Sequence, residues 1–462
     1  MIKWEKNMDF KELREKYPEF IYKSYDIDET ETEINVRYHF EITGLCDFNP
    51  SWTFTKNNGG NFSHNPTFLK SVFALGMVEL ISYWKSACPP IVKVLAGDLS
   101  EKQVLWFKKL YFKGLGEFFY RNGIETDIVS FMDILPLGEK IEGTGEKISG
   151  EKNLISIGGG KDSIVSLELL SPFKNDNFCY IINPNEATKA SAKMGGYKDK
   201  GIIPAKRTLD RKIVELNSQG FLNGHTPFSA IVAFSSLITA YINGIRYIVL
   251  SNESSANEST VMGTDVNHQY SKSFEFEEDF RAYQMEFIDS GCEYFSLLRP
   301  LTEFQIAKYF SEKSEYHSVF KSCNLGSKTD CWCCDCPKCL FITIILSPFL
   351  SPSDIEEIFG ENLLTKEKMI PTFDKLLGLT PEKPFECVGS RAEVVLAVNL
   401  TAEKYKKANK PLPCLLAHYA ETCGVRDVGE EYRECLSYYD ENNNLPEKFE
   451  KILREEFGLR KD

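Results

Sequence analysis

Three glycines followed by Lys-Asp-Ser, Gly158-Gly159-Gly160-Lys161-Asp162-Ser163, constrain this 462-residue chain more than any other feature. The apolar run Asn153 to Ile157 leads into them, and a helical pattern from Ser163 to Leu170 leads out. Strand, glycine turn and helix in that order open a βαβ unit. Glycine lets backbone approach an anion closely, and the first helical turn offers unpaired N–H groups with a partial positive charge. Lys161 adds charge, and the Ser163 hydroxyl can donate to a phosphate oxygen. The loop is not a Walker A loop, because Asp162 rather than Ser or Thr follows the lysine. It is not a dinucleotide fingerprint either, because the Gly-x-Gly-x-x-Gly spacing fails.

Phe178 to Ile182 and Tyr247 to Leu250 repeat the buried-strand pattern, with helical segments at Thr188 to Met194 and Ala230 to Asn243 between them. That alternation predicts right-handed βαβ units and a parallel sheet with ligands at the carboxyl ends of its strands. Upstream the texture differs. Residues 20–54 alternate apolar and polar side chains, as in Ile34-Asn35-Val36-Arg37-Tyr38-His39-Phe40, which predicts antiparallel strands with one wet face. Helical patterns follow at Pro66 to Ala87 and Ser100 to Asn122. Gly138 to Gly150, rich in Gly, Glu and Lys, reads as a solvated boundary. Beyond Ser347 the chain reads as helical and polar, ending in a charged tail from Pro446. The expected fold is α/β: an N-terminal α+β domain over 1–145, a parallel-sheet core over 146–345, and a helical C-terminal region over 346–462.

Six of the fourteen cysteines crowd into residues 323–339. Cys323, then Cys333-x-x-Cys336-x-x-Cys339, offers four thiols in one short loop, and tetrahedral Zn²⁺ accepts four thiolates. Nothing suggests an open coordination position, so the reading is a structural zinc. Cys331 and Cys334 are spare candidates, and an iron–sulfur cluster is the alternative occupant. Three polar clusters complete the candidates: Asn223-Gly224-His225, then Ser251-Asn252-Glu253-Ser254-Ser255-Ala256-Asn257, then Asn267-His268-Gln269-Tyr270-Ser271-Lys272. Capping and turn chemistry is the plain reading of such residues. The second and third clusters are denser in functional groups than capping requires.

The loop Gly158 to Ser163 resembles the Ser-Gly-Gly-x-Asp-Ser loop of the PP-loop ATP pyrophosphatases, with Gly158 in place of the first serine. The resemblance implies an adenine nucleotide alpha hydrolase-like core, bound ATP and Mg²⁺, and cleavage to AMP and pyrophosphate. The cysteine spacing is similar to the zinc site of 7-cyano-7-deazaguanine synthases. More of the chain resembles the UDP-N-acetylmuramoyl-L-alanyl-L-glutamate epimerase family: Asn223-Gly224-His225, Ser251-Asn252-Glu253, Val266-Asn267-His268-Gln269-Tyr270, Trp332-Cys333, Lys383-Pro384-Phe385-Glu386-Cys387 and Gly114-Leu115-Gly116-Glu117-Phe118. That likeness implies an ATP-dependent isomerase that converts the terminal L-Glu of a UDP-linked muramoyl dipeptide to D-Glu through a carboxyl adenylate, in peptidoglycan precursor synthesis. It assigns Gly158, Gly159, Gly160, Lys161, Asp162, Ser163 and Asn183 to the nucleotide. By residue chemistry and expected placement, His225, Asn252, Asn257 and Tyr270 are candidate substrate contacts, and Lys161, Asp162, Glu253, His268, Lys272 and Cys387 are candidate catalytic groups, with a buried structural cysteine the plainer reading of Cys387.

An amide- or nitrile-forming enzyme of the deazaguanine type and a non-enzymatic nucleotide sensor are the competing functions. The net charge of −13, from 54 basic and 67 acidic residues, works against nucleic acid and anionic membrane as partners. The opening residues show no basic-then-apolar leader, and no greasy run is long enough to span a bilayer, so a cytoplasmic protein is expected. No oligomeric state follows from these features.

Overall fold

The computed structural model describes residues 8–459 apart from residues 58, 327 and 328. By contacts the chain forms two compact, discontinuous units. The first comprises Met1–Leu154, Ile203–Ile248 and Asp265–Tyr294; the second comprises Ile155–Ile202, Val249–Thr264 and Phe295–Asp462. This partition differs from three consecutive segments because the chain leaves each unit and returns to it. Among the described residues the strands are β1 (Glu19–Glu29), β2 (Glu33–Ile42), β3 (Cys46–Phe48), β4 (Ser51–Thr55), β5 (Ile91–Val94), β6 (Asp133–Pro136), β7 (Asn153–Ser156), β8 (Asn177–Ile182), β9 (Ile202–Thr208), β10 (Tyr247–Leu250) and β11 (Glu293–Ser296).

In the first unit the strand order is β9-β4-β2-β1-β5-β6, with β3 beside β2. The alternation of residues 20–54 does form antiparallel strands: β1 pairs β2, and β2 pairs β4. Along β2 every second residue from Ile34 to Ile42 is buried, while its neighbours keep contact with water. The inner face is covered by helix Pro66–Trp84, started by Asn65, whose side chain accepts from Phe68 N at 3.1 Å. Helix Phe228–Ile242 packs on that helix, and both are buried on nearly every side. A helix apolar all round belongs in a protein interior. Here Gly76 admits the Tyr22 side chain against the helix, where any Cβ would collide with its ring.

Strands β7, β8, β10 and β11 are ordered β11-β10-β7-β8, and their carboxyl ends all lie in the second unit. Glu293 N bonds to Arg246 O and Leu297 N to Leu250 O, so β10 and β11 advance together and are parallel. Helices Lys161–Leu169 and Phe228–Ile242 make the crossovers such strands need. From Pro337 onward the second unit is helical. The fold is therefore mixed α/β with a mostly parallel central sheet and a helical C-terminal region. Among the described residues no helix is long and apolar enough to cross a membrane.

Gly138 to Gly150 is solvated as expected, with no residue buried, and is tied to the first unit where Gly145 N donates to Thr67 Oγ1 at 2.9 Å and Ile148 N to Ser290 O at 2.8 Å. Two expectations need correction. The helix expected over Ser100 to Asn122 is two helices, Glu101–Gly114 and Gly116–Arg121, broken at Leu115. The charged tail from Pro446 contains helix Glu447–Glu456, which fully buries Phe449 and Leu453; residues 460–462 lie outside the described residues.

Candidate active site

Two clusters of functional side chains form, one inside each unit. In the second unit, Gly159 takes φ +78°, a left-handed turn that glycine adopts freely. A Cβ there would stand 3.3 Å from the Thr188 amide nitrogen and methyl. Gly159→Ala is therefore expected to lower stability by about 1–2 kcal/mol, the cost of a left-handed non-glycine residue; calorimetric melting checks it. Gly158 faces open space, so the missing serine side chain is a difference of chemistry and not of room. Gly160 begins helix Lys161–Leu169 without any side-chain cap.

Lys161 is 1% exposed and pairs with Asp162 and, at 2.8 Å, with Glu303 Oε1. Burial works against its charge, but the two carboxylates outweigh burial and hold the ammonium above the ordinary lysine range. Burial pushes the Glu303 carboxyl up against the pull of Lys161, and Asp162 and Glu253 add to the rise. One carboxylate oxygen each from Asp162, Glu253 and Glu303 lies within 4.8 Å of the others. Glu303 Oε2, Ser156 Oγ and Ser322 Oγ are buried with no hydrogen-bond partner. Buried polar atoms are nearly always paired, so three orphans around one uncapped loop fit a site completed by a ligand. Mg²⁺ fits as well, since it binds through one or two carboxylates plus substrate phosphates.

Glu253 is set by its backbone: Arg299, fully buried, donates from Nη1 to its carbonyl at 2.9 Å. Asn252 is tied to Ser296 Oγ at 3.0 Å. Asn257 lines a cavity of about 830 Å³ beside Ser254, Arg391 and Tyr438. Asn183, at the end of β8, has φ +48°. The Cys387 carbonyl accepts from the buried Lys338.

In the first unit, glycines at 114 and 116 break the helix and let other loops close in. A Cβ on Gly114 would meet Pro227 Cγ at 2.7 Å, and one on Gly224 would meet Phe118 at 3.1 Å. This close approach sets Glu117 between two histidines. His268 Nδ1 lies 2.5 Å from Glu117 Oε2, and His225 Nδ1 lies 3.8 Å from the same oxygen. The two imidazole rings are 4.3 Å apart, and Arg121 Nε holds the other Glu117 oxygen at 2.7 Å. Lys85 donates to Gly224 O at 2.5 Å, and burial lowers its ammonium to about 8. Burial also holds His225 well below the ordinary histidine range, reinforced by the charges of His268, Lys85, Lys272 and Arg121. A neutral imidazole beside a carboxylate-bound one can take and return protons. Tyr270 is buried against Phe276, its hydroxyl turned toward Asp279.

The four thiols expected to bind metal converge. Sγ separations are 3.8 Å for Cys323–Cys336, 3.7 Å for Cys333–Cys339 and 3.5 Å for Cys336–Cys339. Tetrahedral Zn²⁺ with bonds of about 2.3 Å spaces its sulfurs by roughly 3.8 Å. All four sulfurs lie within 4.8 Å of one another, a single-ion spacing, whereas a multi-iron cluster holds its thiolates around a larger core. Cys334 instead donates to Phe359 O at 3.1 Å, and Cys331 is exposed.

Glu303 and Glu117 carry weight that residue patterns did not assign to them. Glu303 has one local signal: Thr302 and Gln305 form a capping box that starts its helix just past β11. Glu117 stands after paired glycines, a signal of close approach but not of partner.

Comparison with known proteins bears on these clusters. A curated protein of Salinispora tropica named UDP-N-acetyl-alpha-D-muramoyl-L-alanyl-L-glutamate epimerase is 37% identical over 336 residues, 71% of this chain and 72% of its own. A protein of that name from a Micromonospora species is 36% identical, with 73% and 76% covered, and one from Xanthomonas oryzae pv. oryzae is 34% identical, with 71% and 74% covered. No solved structure matches the chain significantly. The family model for the MurL N-terminal domain matches residues 11–297, and that for the MurL C-terminal domain matches residues 317–426. The chain belongs to the MurL family.

Proposed function

We propose that this protein is an ATP-dependent isomerase that inverts the terminal L-Glu of UDP-N-acetylmuramoyl-L-alanyl-L-glutamate, a step of peptidoglycan precursor synthesis. The observation that carries the reading is the match, over about seven-tenths of the chain, to three proteins named for that epimerisation. The chemistry follows from acidity. An α-proton beside a carboxylate is very weakly acidic, because its removal adds charge next to charge. Attack of the carboxylate oxygen on the α-phosphorus of ATP breaks the bond to pyrophosphate and leaves an acyl adenylate, in which the carboxyl group no longer carries charge and a base can take the α-proton. A proton returned on the opposite face gives the D-centre, and water then releases AMP.

The Gly158–Ser163 loop with its uncapped helix supports the pyrophosphate end. Asp162, Glu253 and Glu303 would hold Mg²⁺, which offsets phosphate charge. His225 and His268, with Glu117 fixing the second, are the best-supported proton carriers, ahead of Lys272 and Cys387. Cys323, Cys333, Cys336 and Cys339 would hold a structural Zn²⁺.

Incubation with the dipeptide substrate in D₂O tests the reading. Deuterium is expected at the glutamate α-carbon only when Mg-ATP is present, together with AMP, pyrophosphate and the D-epimer. ADP and phosphate as products would sink the adenylate. AMP without α-deuterium would sink the epimerase, and an amide or nitrile formed from ammonia would install the deazaguanine-type alternative.

A further inference from the structure

Two buried hydroxyls near the loop, Ser156 and Ser322, stand without a partner, and Ser322 is the one that lies against Gly160. Ser322 immediately precedes the metal-site residue Cys323, and the amide of Lys321 donates to Gly159 O at 2.8 Å, fixing the segment against the loop. A Cβ built on Gly160 would lie 3.1 Å from Ser322 Cβ and 4.0 Å from its Oγ. The hydroxyl therefore stands at the residue that begins helix Lys161–Leu169. Its oxygen is closed to solvent and has no hydrogen-bond partner. A buried group left in that state costs about 1–3 kcal/mol, so its retention calls for a partner from outside the chain. The helix start beside it likewise has no side-chain cap, and Glu303, 2% exposed, keeps Oε2 open to a cation that would accompany a phosphate.

The hydroxyl on the loop itself does not fill this role. Ser163 Oγ donates to Gly160 O at 2.9 Å, so its proton is engaged within the turn. Gly158 has no hydroxyl to offer.

We propose that Ser322 donates its hydroxyl proton to the phosphate chain bound at the Gly158–Ser163 loop. The proposal rests on reading that loop as a phosphate site. It makes the segment leading into the cysteine cluster part of the nucleotide site.

Calorimetric titration of the full-length, metal-replete protein with inorganic pyrophosphate and Mg²⁺ tests it without turnover. Ser322→Ala is expected to bind pyrophosphate about tenfold more weakly, the effect of one hydrogen bond to a charged acceptor. Its melting temperature should hold or rise, because an unsatisfied buried oxygen is gone. Ser322→Cys keeps the volume but donates weakly, and is expected to weaken binding alongside alanine. Unchanged affinity in either folded variant would overturn the proposal and give the hydroxyl to a bound water. Failure of the unaltered protein to bind pyrophosphate would overturn the loop reading itself, and the proposal with it.

Discussion

His268→Gln is expected to cut deuterium entry at the substrate α-carbon by about 10²–10⁴-fold, the usual range for a lost acid–base group, while AMP formation continues. The geometry gives the reason. Glu117, anchored by Arg121, accepts from His268 Nδ1 and fixes the orientation of the ring. Glu117→Gln should move the label in the same direction, since it removes the carboxylate that holds the His268 ring. His225 differs in being held neutral by burial and by the surrounding cations. Its proton affinity is depressed, so the native state resists protonation while an unfolded chain would accept it near pH 6.5. Stability from this group is therefore present above about pH 6.5 and lost as pH falls toward the depressed value. Exchange by the folded enzyme should persist through that window and fail only once pH falls through the depressed value. Label entry that is unchanged in both His268→Gln and His225→Gln would remove the histidine pair from the mechanism.

What could be read in advance was local. A glycine run between an apolar strand and a helix declares a close backbone turn whatever surrounds it, and the loop at Gly158–Ser163 forms as expected. Four cysteines at chelate spacing likewise converge, because a short loop brings them together at little entropic cost. Contacts distant in sequence were not legible. Glu303 becomes a partner of Lys161 only because β11, four residues long, lies in the sheet, and so short a strand leaves little periodicity. The break at Leu115 follows no apolar pattern; it answers the approach of Pro227 to Gly114. Gly138 to Gly150 has the polarity of a solvated linker and is exposed as one, yet two of its amides, Gly145 N and Ile148 N, are paired with Thr67 and Ser290. Polarity cannot tell water from a protein partner as the acceptor of a backbone hydrogen bond.

Cys336→Ala is expected to cost the bound metal and much of the stability of the second unit. Between Tyr316 and Pro337 the described chain forms turns but no regular helix longer than a single turn, so sulfur–metal bonds are the main candidates for holding it. Structural zinc contributes about 10–16 kcal/mol in small fingers, comparable with the whole stability of a domain. Loss of even about 5 kcal/mol would lower the melting temperature by roughly 10–20 °C for a unit of this size. The loss should also reach the phosphate site at temperatures where the fold survives, because Lys321 N holds Gly159 O and Ser322 lies against Gly160. Chelator-treated protein should then bind pyrophosphate more weakly than metal-replete protein. Cys334→Ala is the control: its thiol donates to Phe359 O and not into the cluster. That variant should keep its metal and lose only about 1 kcal/mol, the worth of one hydrogen bond. Elemental analysis showing iron or no metal in the unaltered protein would refute the zinc assignment. Equal metal loss in the Cys334 and Cys336 variants would refute the ligand set, and full pyrophosphate affinity after chelation would separate the metal from the phosphate loop.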